Sequence, residues 1–292
     1  MISSRPKGIG WAPRAGAQLS AALVARVRAA ARAIGIDFKR YIPEDPQAAR
    51  LERIFTALLE VRQLSLSDGE DEHCRFLEFC RGRLRSSKAQ LLQDLFVQYT
   101  LQEKRNGFFV EFGAGNGIDL SNTYLLETEY AWGGIVVDPA RCWRESITAN
   151  RKCQTDFRCV WEESGKEIEF NEVGEASTIH QFSDQGAYAE TRRNKTLYQV
   201  PTVSLLDLLA QHNAPSKIDY LSIDTEGSEF QILNKFDFEK YDIKIVTVEH
   251  NYLMPDRADL NALLRSKGYK RKFEVFSMWD DWYVQEDRID VP

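Results

Sequence analysis

The chemistry legible in this 292-residue chain sits at four places: Glu111, Asp138, Asp224 and the triplet Glu249-His250-Asn251. Each follows a short apolar run of β type: Phe108-Phe-Val, Gly134-Ile-Val-Val, Ile218-Asp-Tyr-Leu-Ser-Ile and Ile245-Val-Thr-Val. Open parallel α/β sheets place ligand-binding groups this way, at the carboxyl edge where buried strands end. After Glu111 the chain reads Gly113-Ala-Gly115-Asn116-Gly117. Glycines there let backbone approach a ligand without a Cβ in the way, and a following helix start offers free N–H groups. The dinucleotide fingerprint would need its third glycine at Ile118, which weighs against an NAD-dependent oxidoreductase.

The loop suits S-adenosylmethionine (SAM). The helix start fits its methionine carboxylate, and Glu111 fits its ammonium or sulfonium. Gly113, Gly115 and Asn116 complete that expected contact. Asp138, 27 positions after Glu111, is placed to accept from both ribose hydroxyls and also to cap the turn that Pro139 opens. Asp224 and Glu226 share the carboxyl edge with Glu249, His250 and Asn251. A hydroxyl that attacks a methyl group must lose its proton, and histidine is the commonest base of suitable pKa. His250 is therefore the expected base, with Asp224 or Glu249 positioning it or the substrate. Asp224, Glu249 and Asn251 also form an oxygen set that Mg²⁺ accepts, although no metal is assigned. Trp279, Trp282 and Tyr283, beside Asp280 and Asp281, read either as a sugar platform or as core.

These residues need a frame. Strands are expected at 108–112, 134–138, 156–161, 218–223 and 243–249, helices near 118–128, 140–150, 202–212 and 227–236, and a closing strand pair within 268–284. Strand–helix alternation implies a parallel sheet covered on both faces. The connection from Glu162 to Gln199 is long enough to be a lid. Upstream, Leu19, Leu23, Val27, Ala30 and Ile34 recur at helical spacing, Asp45-Pro46 opens a second helix, and 64–73 reads as a linker. Ser87-x-x-Gln90 resembles a capping box. The chain thus divides into a helical extension, 1–85, and a catalytic region, 86–292.

Net charge is −6, with 43% apolar and 11% aromatic residues, so a large core is affordable and broad nucleic-acid affinity is not expected. Residues 1–62 hold eleven Lys/Arg against five Asp/Glu, a basic arm suited to peripheral contact with an anionic partner or membrane surface. Five cysteines without a C-x2-C pair point to reduced thiols and a cytoplasmic setting, and Cys159 reads as core. Arg26, Arg28 and Arg32 interrupt the only apolar stretch near the N-terminus, so neither signal peptide nor transmembrane span is expected.

From about Ser86 to Val284 the chain resembles the FkbM family of SAM-dependent methyltransferases. The resemblance rests on Phe109-Val-Glu-Phe-Gly-Ala-Gly-Asn-Gly117, Leu120-Ser-Asn-Thr-Tyr-Leu-Leu-Glu127, Thr202-Val-Ser-Leu-Leu-Asp-Leu-Leu209, Asp219-Tyr-Leu-Ser-Ile-Asp-Thr-Glu-Gly-Ser-Glu-Phe230 and Val248-Glu-His-Asn251. It implies a class I, Rossmann-like, mostly parallel seven-stranded sheet with helices on both faces. It also implies O-methylation of sugar or other metabolite hydroxyls. Many members carry Glu where this chain has Asp138, one methylene shorter. The rival readings are a non-catalytic nucleotide- or partner-binding module on the same fold, the oxidoreductase, and, weakest, a nucleic-acid methyltransferase. Against the last, the fourth strand ends Asp-Thr-Glu-Gly and lacks the Asn-Pro-Pro-aromatic pattern of exocyclic-amine chemistry.

Overall fold

The computed structural model describes residues 72–193, 196–253 and 256–285. The two expected N-terminal helices and most of the 64–73 linker lie outside them. The described chain begins with α1 (Glu72–Arg81) and α2 (Gln93–Thr100). Asp94, not the expected Ser87–Gln90 box, organises the start of α2. Its buried carboxylate accepts from the Ser87 hydroxyl and the backbone N–H groups of Lys88, Ala89 and Leu95.

The parallel core is β1 (Phe108–Phe112), β2 (Gly133–Val137), β3 (Gln154–Asp156), β8 (Lys217–Ile223) and β9 (Asp242–Glu249). It is joined by α3 (Tyr124–Tyr130), α4 (Arg144–Asn150), α5 (Leu205–Gln211) and α6 (Glu229–Asn234). After α7 (Asp256–Ser266), β10 (Lys270–Lys272), α8 (Glu274–Ser277) and β11 (Asp280–Val284) close the sheet. The strand order is β10-β11-β9-β8-β1-β2-β3, with β11 antiparallel to both neighbours. This is the seven-stranded Rossmann-like architecture that the resemblance implied. Order reverses between β1 and β8, the switch point where such sheets open a crevice.

Period-two alternation sorts the core. Val110, Phe112, Ile135, Val137, Leu221 and Val246 face one apolar layer. Phe109, Val136, Tyr220, Ile245 and Trp282 face the other. Phe76 and Cys80 of α1 are buried in that second layer, so the α/β body already includes Glu72–Arg81, upstream of residue 86. Trp282 stacks on Phe96, 4.7 Å between centroids, and Tyr283 is equally buried, which makes both core and not a sugar platform.

The expected strand at 156–161 is broken. Asp156 Oδ1 accepts from the Arg158 backbone N–H, a local turn that competes with the ladder and ends β3. The chain then leaves as β4 (Cys159–Trp161), which joins a second sheet with β5 (Glu167–Glu172), β6 (Thr178–Ile179) and β7 (Thr196–Ser204), in the order β4-β7-β5-β6. The long connection is therefore a built sheet with its own small core around Phe170, Ile179, Phe182 and Val200. Among the described residues, no helix is long and apolar enough to cross a membrane.

Candidate active site

A cavity of about 1110 Å³, open mouth included, lies over the carboxyl ends of β1, β2, β8 and β9. Gly113, Gly115, Asn116, Asp138, Asp224 and Glu249 line it, so six of the eight expected site residues converge on one space. Glu111 and His250 are not among its lining residues.

Glu111 fails to reach the cavity because the 121–123 turn and Arg151 close over its carboxylate. It shares a face with Phe109, so its side chain enters the helical layer. There it accepts from Ser121 Oγ (2.9 Å), Asn122 N (2.6 Å), Thr123 Oγ1 (2.6 Å) and Arg151 Nη1 (3.2 Å). Arg151 is itself buried and also pairs with Glu127 at 2.5 Å. The acid expected to attract the ammonium or sulfonium is instead the anchor of the 121–123 turn.

The glycines divide their work. Gly113 has φ +75°, and a Cβ there would fall 1.9 Å from the Asp224 carbonyl oxygen. Its role is to let the tips of β1 and β8 touch. Gly115, at φ +55°, meets nothing within 4 Å, so a side chain there would intrude on open space. Asn116 folds the loop onto itself, accepting from the N–H groups of Ile118 and Asp119 at 2.8 Å each. Asp138 performs the expected capping and faces the space where a ribose was expected. Oδ1 accepts from Ala140 N (2.9 Å) and Oδ2 from Gly115 N (3.0 Å), while the residue still borders the cavity. Burial pushes its carboxyl up to about 7, against the pull of those two N–H groups.

On the far side of the switch point, Asp224, Glu226 and Glu249 bring carboxylate oxygens within 4.8 Å of one another. Burial first, then repulsion from a neighbouring carboxylate (Glu226 on Asp224, Asp224 on Glu249), raises both Asp224 and Glu249 well above the ordinary carboxylate range. Carboxylates this close resist ionising together. Glu226 has a partner of its own: Arg192, 2% exposed, donates to it at 2.7 Å and also to the carbonyls of Ala176 and Gln185. Thr178 Oγ1 donates to the Glu226 carbonyl at 2.9 Å. The second sheet is thereby pinned to the acidic loop, and its Gly174, Glu175, Ser177 and Tyr188 wall the cavity. The lid expectation for 162–199 matches this placement. Three such oxygens are a set a hard divalent cation accepts. Asn251, however, turns its Nδ2 to Glu226 (3.2 Å) and Glu249 (2.7 Å), so the oxygen expected from it is not offered there.

His250 also departs from expectation, here through strand parity. One residue past Glu249, it points to the opposite side of the sheet. Its Nδ1 accepts from the Tyr252 backbone N–H (2.9 Å), and Nε2 lies 3.6 Å from Asp281, which Arg257 also holds. The imidazole faces that buried charge cluster and not the cavity.

Arg192, Tyr188, Arg151 and Asn122 were not anticipated. The first two sit in polar sequence without periodicity. Asn122 lay inside the quoted Leu120–Glu127 motif, but nothing local showed that its side chain bridges to Ser222 Oγ at 2.9 Å or that its Oδ1 accepts no bond.

The sequence model of the methyltransferase FkbM domain matches residues 111–271, over half of the chain. No curated protein matches it in sequence. Solved structures similar to it include a precorrin-6y C5,15-methyltransferase from Geobacter metallireducens (10% identity, 65% of this chain and 85% of that chain, TM-score 0.34). Others are a putative RNA methyltransferase from Pyrococcus horikoshii (13%, 66% and 80%, 0.34) and a human methyltransferase 10 domain containing protein (11%, 66% and 80%, 0.35). Likenesses of this size do not bear on substrate. The cavity fits the cofactor such a family uses: Gly115 leaves room where a Cβ would intrude, acids line the space for a cationic ligand, and Asn122 holds an unmatched buried oxygen. The chain belongs to the FkbM methyltransferase family and is a SAM-dependent methyltransferase.

Proposed function

We propose that this methyltransferase acts on a hydroxyl of a sugar, glycan or related metabolite. The observation that carries the reading is the acid cluster of Asp224, Glu226 and Glu249, whose oxygens lie within 4.8 Å of one another at the cavity wall. The bound cofactor supplies an activated methyl group on a sulfonium. On this reading the chain's own residues do the rest. Asp138 accepts from the ribose hydroxyls, while Val137, Pro139, Trp143, Val160 and Phe170 supply apolar surface for the adenine. An ionised member of the acid cluster accepts the acceptor hydroxyl's proton as the oxygen attacks, and a raised pKa makes it a better base near neutrality. Gln90, Asn116, Ser177 and Tyr188 ring the space with donors and acceptors suited to a polyol. The pinned second sheet walls the site, and alignment of the reacting atoms provides much of the rate.

Labelled SAM incubated with monosaccharides, nucleotide sugars and glycan extracts tests this. The expected product is a base-stable methyl ether on a saccharide hydroxyl. Labelled ester, amine or nucleic acid as the main product would overturn the hydroxyl reading.

A further inference from the structure

The displacement of Glu111 from the cavity leaves the ammonium of the cofactor without the partner expected for it. Another group stands in the right place. Glu111 fixes the 121–123 turn through Ser121, Asn122 and Thr123, and so sets where the Asn122 side chain begins. That side chain crosses to β8, where Nδ2 donates to Ser222 Oγ at 2.9 Å. Asn122 is 8% exposed, lines the cavity, and its Oδ1 has no partner. Buried acceptors are matched in most folded proteins, so an unmatched one bordering a ligand cavity asks for a donor from the ligand.

Sheet order says which part of the ligand this is. Asp138, the ribose acceptor of the proposed function, lies at the tip of β2. The glycine loop follows at β1, and Asn122 is tied to β8 on the other side of that loop. A SAM molecule with its ribose at β2 therefore extends its amino-acid end toward Asn122. Of the two groups at that end, a carboxylate has only acceptors and is repelled by an amide oxygen. The ammonium is a cation with three N–H donors. The acidic surroundings, Asp224 and Glu249 among them, favour the cation as well.

We propose that Asn122 recognises the ammonium group of SAM, its Oδ1 accepting one N–H, with Glu111 acting behind it as a positioning residue. The proposal rests on the cofactor reading, and the experiment separates the two. Calorimetry would compare S-adenosylhomocysteine, its analogue with the amine replaced by hydrogen, and 5′-methylthioadenosine, which lacks the whole amino-acid end. Wild type is expected to prefer S-adenosylhomocysteine over the deaminated analogue by about 5- to 150-fold, the range for one buried polar group left unpaired. Asn122→Ala should bring that ratio close to one with 5′-methylthioadenosine affinity unchanged, which also reports an intact nucleoside subsite. Asn122→Asp, with a full negative charge and nearly the same shape, should keep the preference. An undiminished ratio in Asn122→Ala overturns the proposal. So does a loss confined to analogues that retain the carboxylate, because that pattern would mean the amide nitrogen faces the ligand. If wild type binds none of the three, the cofactor reading fails first and the proposal falls with it.

Discussion

Glu111 and Asp224 stand at the tips of adjacent parallel strands, and each belongs to a motif of acid and glycine, yet the fold treats them oppositely. Glu111 is walled in by four donors, including the Arg151 guanidinium. Asp224 lies in a cluster with Glu226 and Glu249, and Arg192, the guanidinium that reaches this loop from the second sheet, is taken by Glu226. A carboxylate whose oxygens are taken by four donors does structural work. A carboxylate crowded by its own kind holds a proton it can exchange. The lesson is that an acid at a strand tip reveals its task by its neighbours, not by its motif.

The largest effect that would test this contrast is on turnover. Asp224→Asn keeps the shape and the backbone that packs on Gly113, but removes one carboxylate of the acid cluster. Methyl transfer should fall about 10²- to 10⁴-fold, the span for a lost general base, with S-adenosylhomocysteine affinity within roughly threefold. Assay in EDTA, then with added Mg²⁺, separates a metal role from a proton role. Activity lost to the chelator and restored by the ion would assign the acid cluster to a cation. Near-normal turnover in Asp224→Asn would remove the contrast.

Glu111→Gln should act on stability instead. Breaking one side of a buried ion pair costs on the order of 3 kcal/mol at the low end, where Arg151 retains Glu127. For a body of this size that lowers Tm by roughly 6–12 °C. A variant with unchanged Tm but abolished S-adenosylhomocysteine binding would return Glu111 to the ligand.

What was legible in the sequence follows the same division. The strands, the sheet type and the convergence of Gly115, Asp138, Asp224 and Glu249 came from local pattern, because apolar runs that end in a carboxylate mark a strand tip by themselves. Which way a tip residue points depends on parity and on what lies across the layer. Arg151 is 40 positions from Glu111, and Asp281 is 31 from His250, so no window around either acid or histidine reveals its partner. Arg192 reaches Glu226 from 34 positions away, out of a segment with no periodicity. The break at Asp156 had a local cause, a side chain satisfying Arg158 N–H, but a short apolar run masks it.

A smaller effect concerns pH. Asp138 is raised to about 7 by burial, and a ribose diol donating to its carboxylate would lower that value in the complex. A group whose pKa falls on binding contributes affinity that is complete above the free value and lost as pH drops through it. S-adenosylhomocysteine affinity should therefore be level above about pH 8 and fall by up to about tenfold per unit below 7. Asp138→Asn should flatten the curve. A flat curve in wild type would separate Asp138 from the ribose.

The smallest expected effect on turnover belongs to His250, where a sequence reading alone would place the largest. Its imidazole accepts from Tyr252 N–H and approaches Asp281, in a cluster held also by Arg257 and Arg271. His250→Gln keeps a polar side chain but disturbs both contacts. Stability should drop by about 1–3 kcal/mol, the cost of leaving buried groups unpaired, while turnover per folded molecule stays within roughly threefold of wild type, far below the loss of a general base. The two readouts must be taken on the same sample, since unfolding alone would imitate a catalytic defect. If folded His250→Gln loses turnover by a hundredfold or more, the imidazole reaches the acceptor after all, through a rearrangement of the Glu249–Tyr252 turn. The contrast between spent and working groups would then have to be redrawn with His250 on the working side.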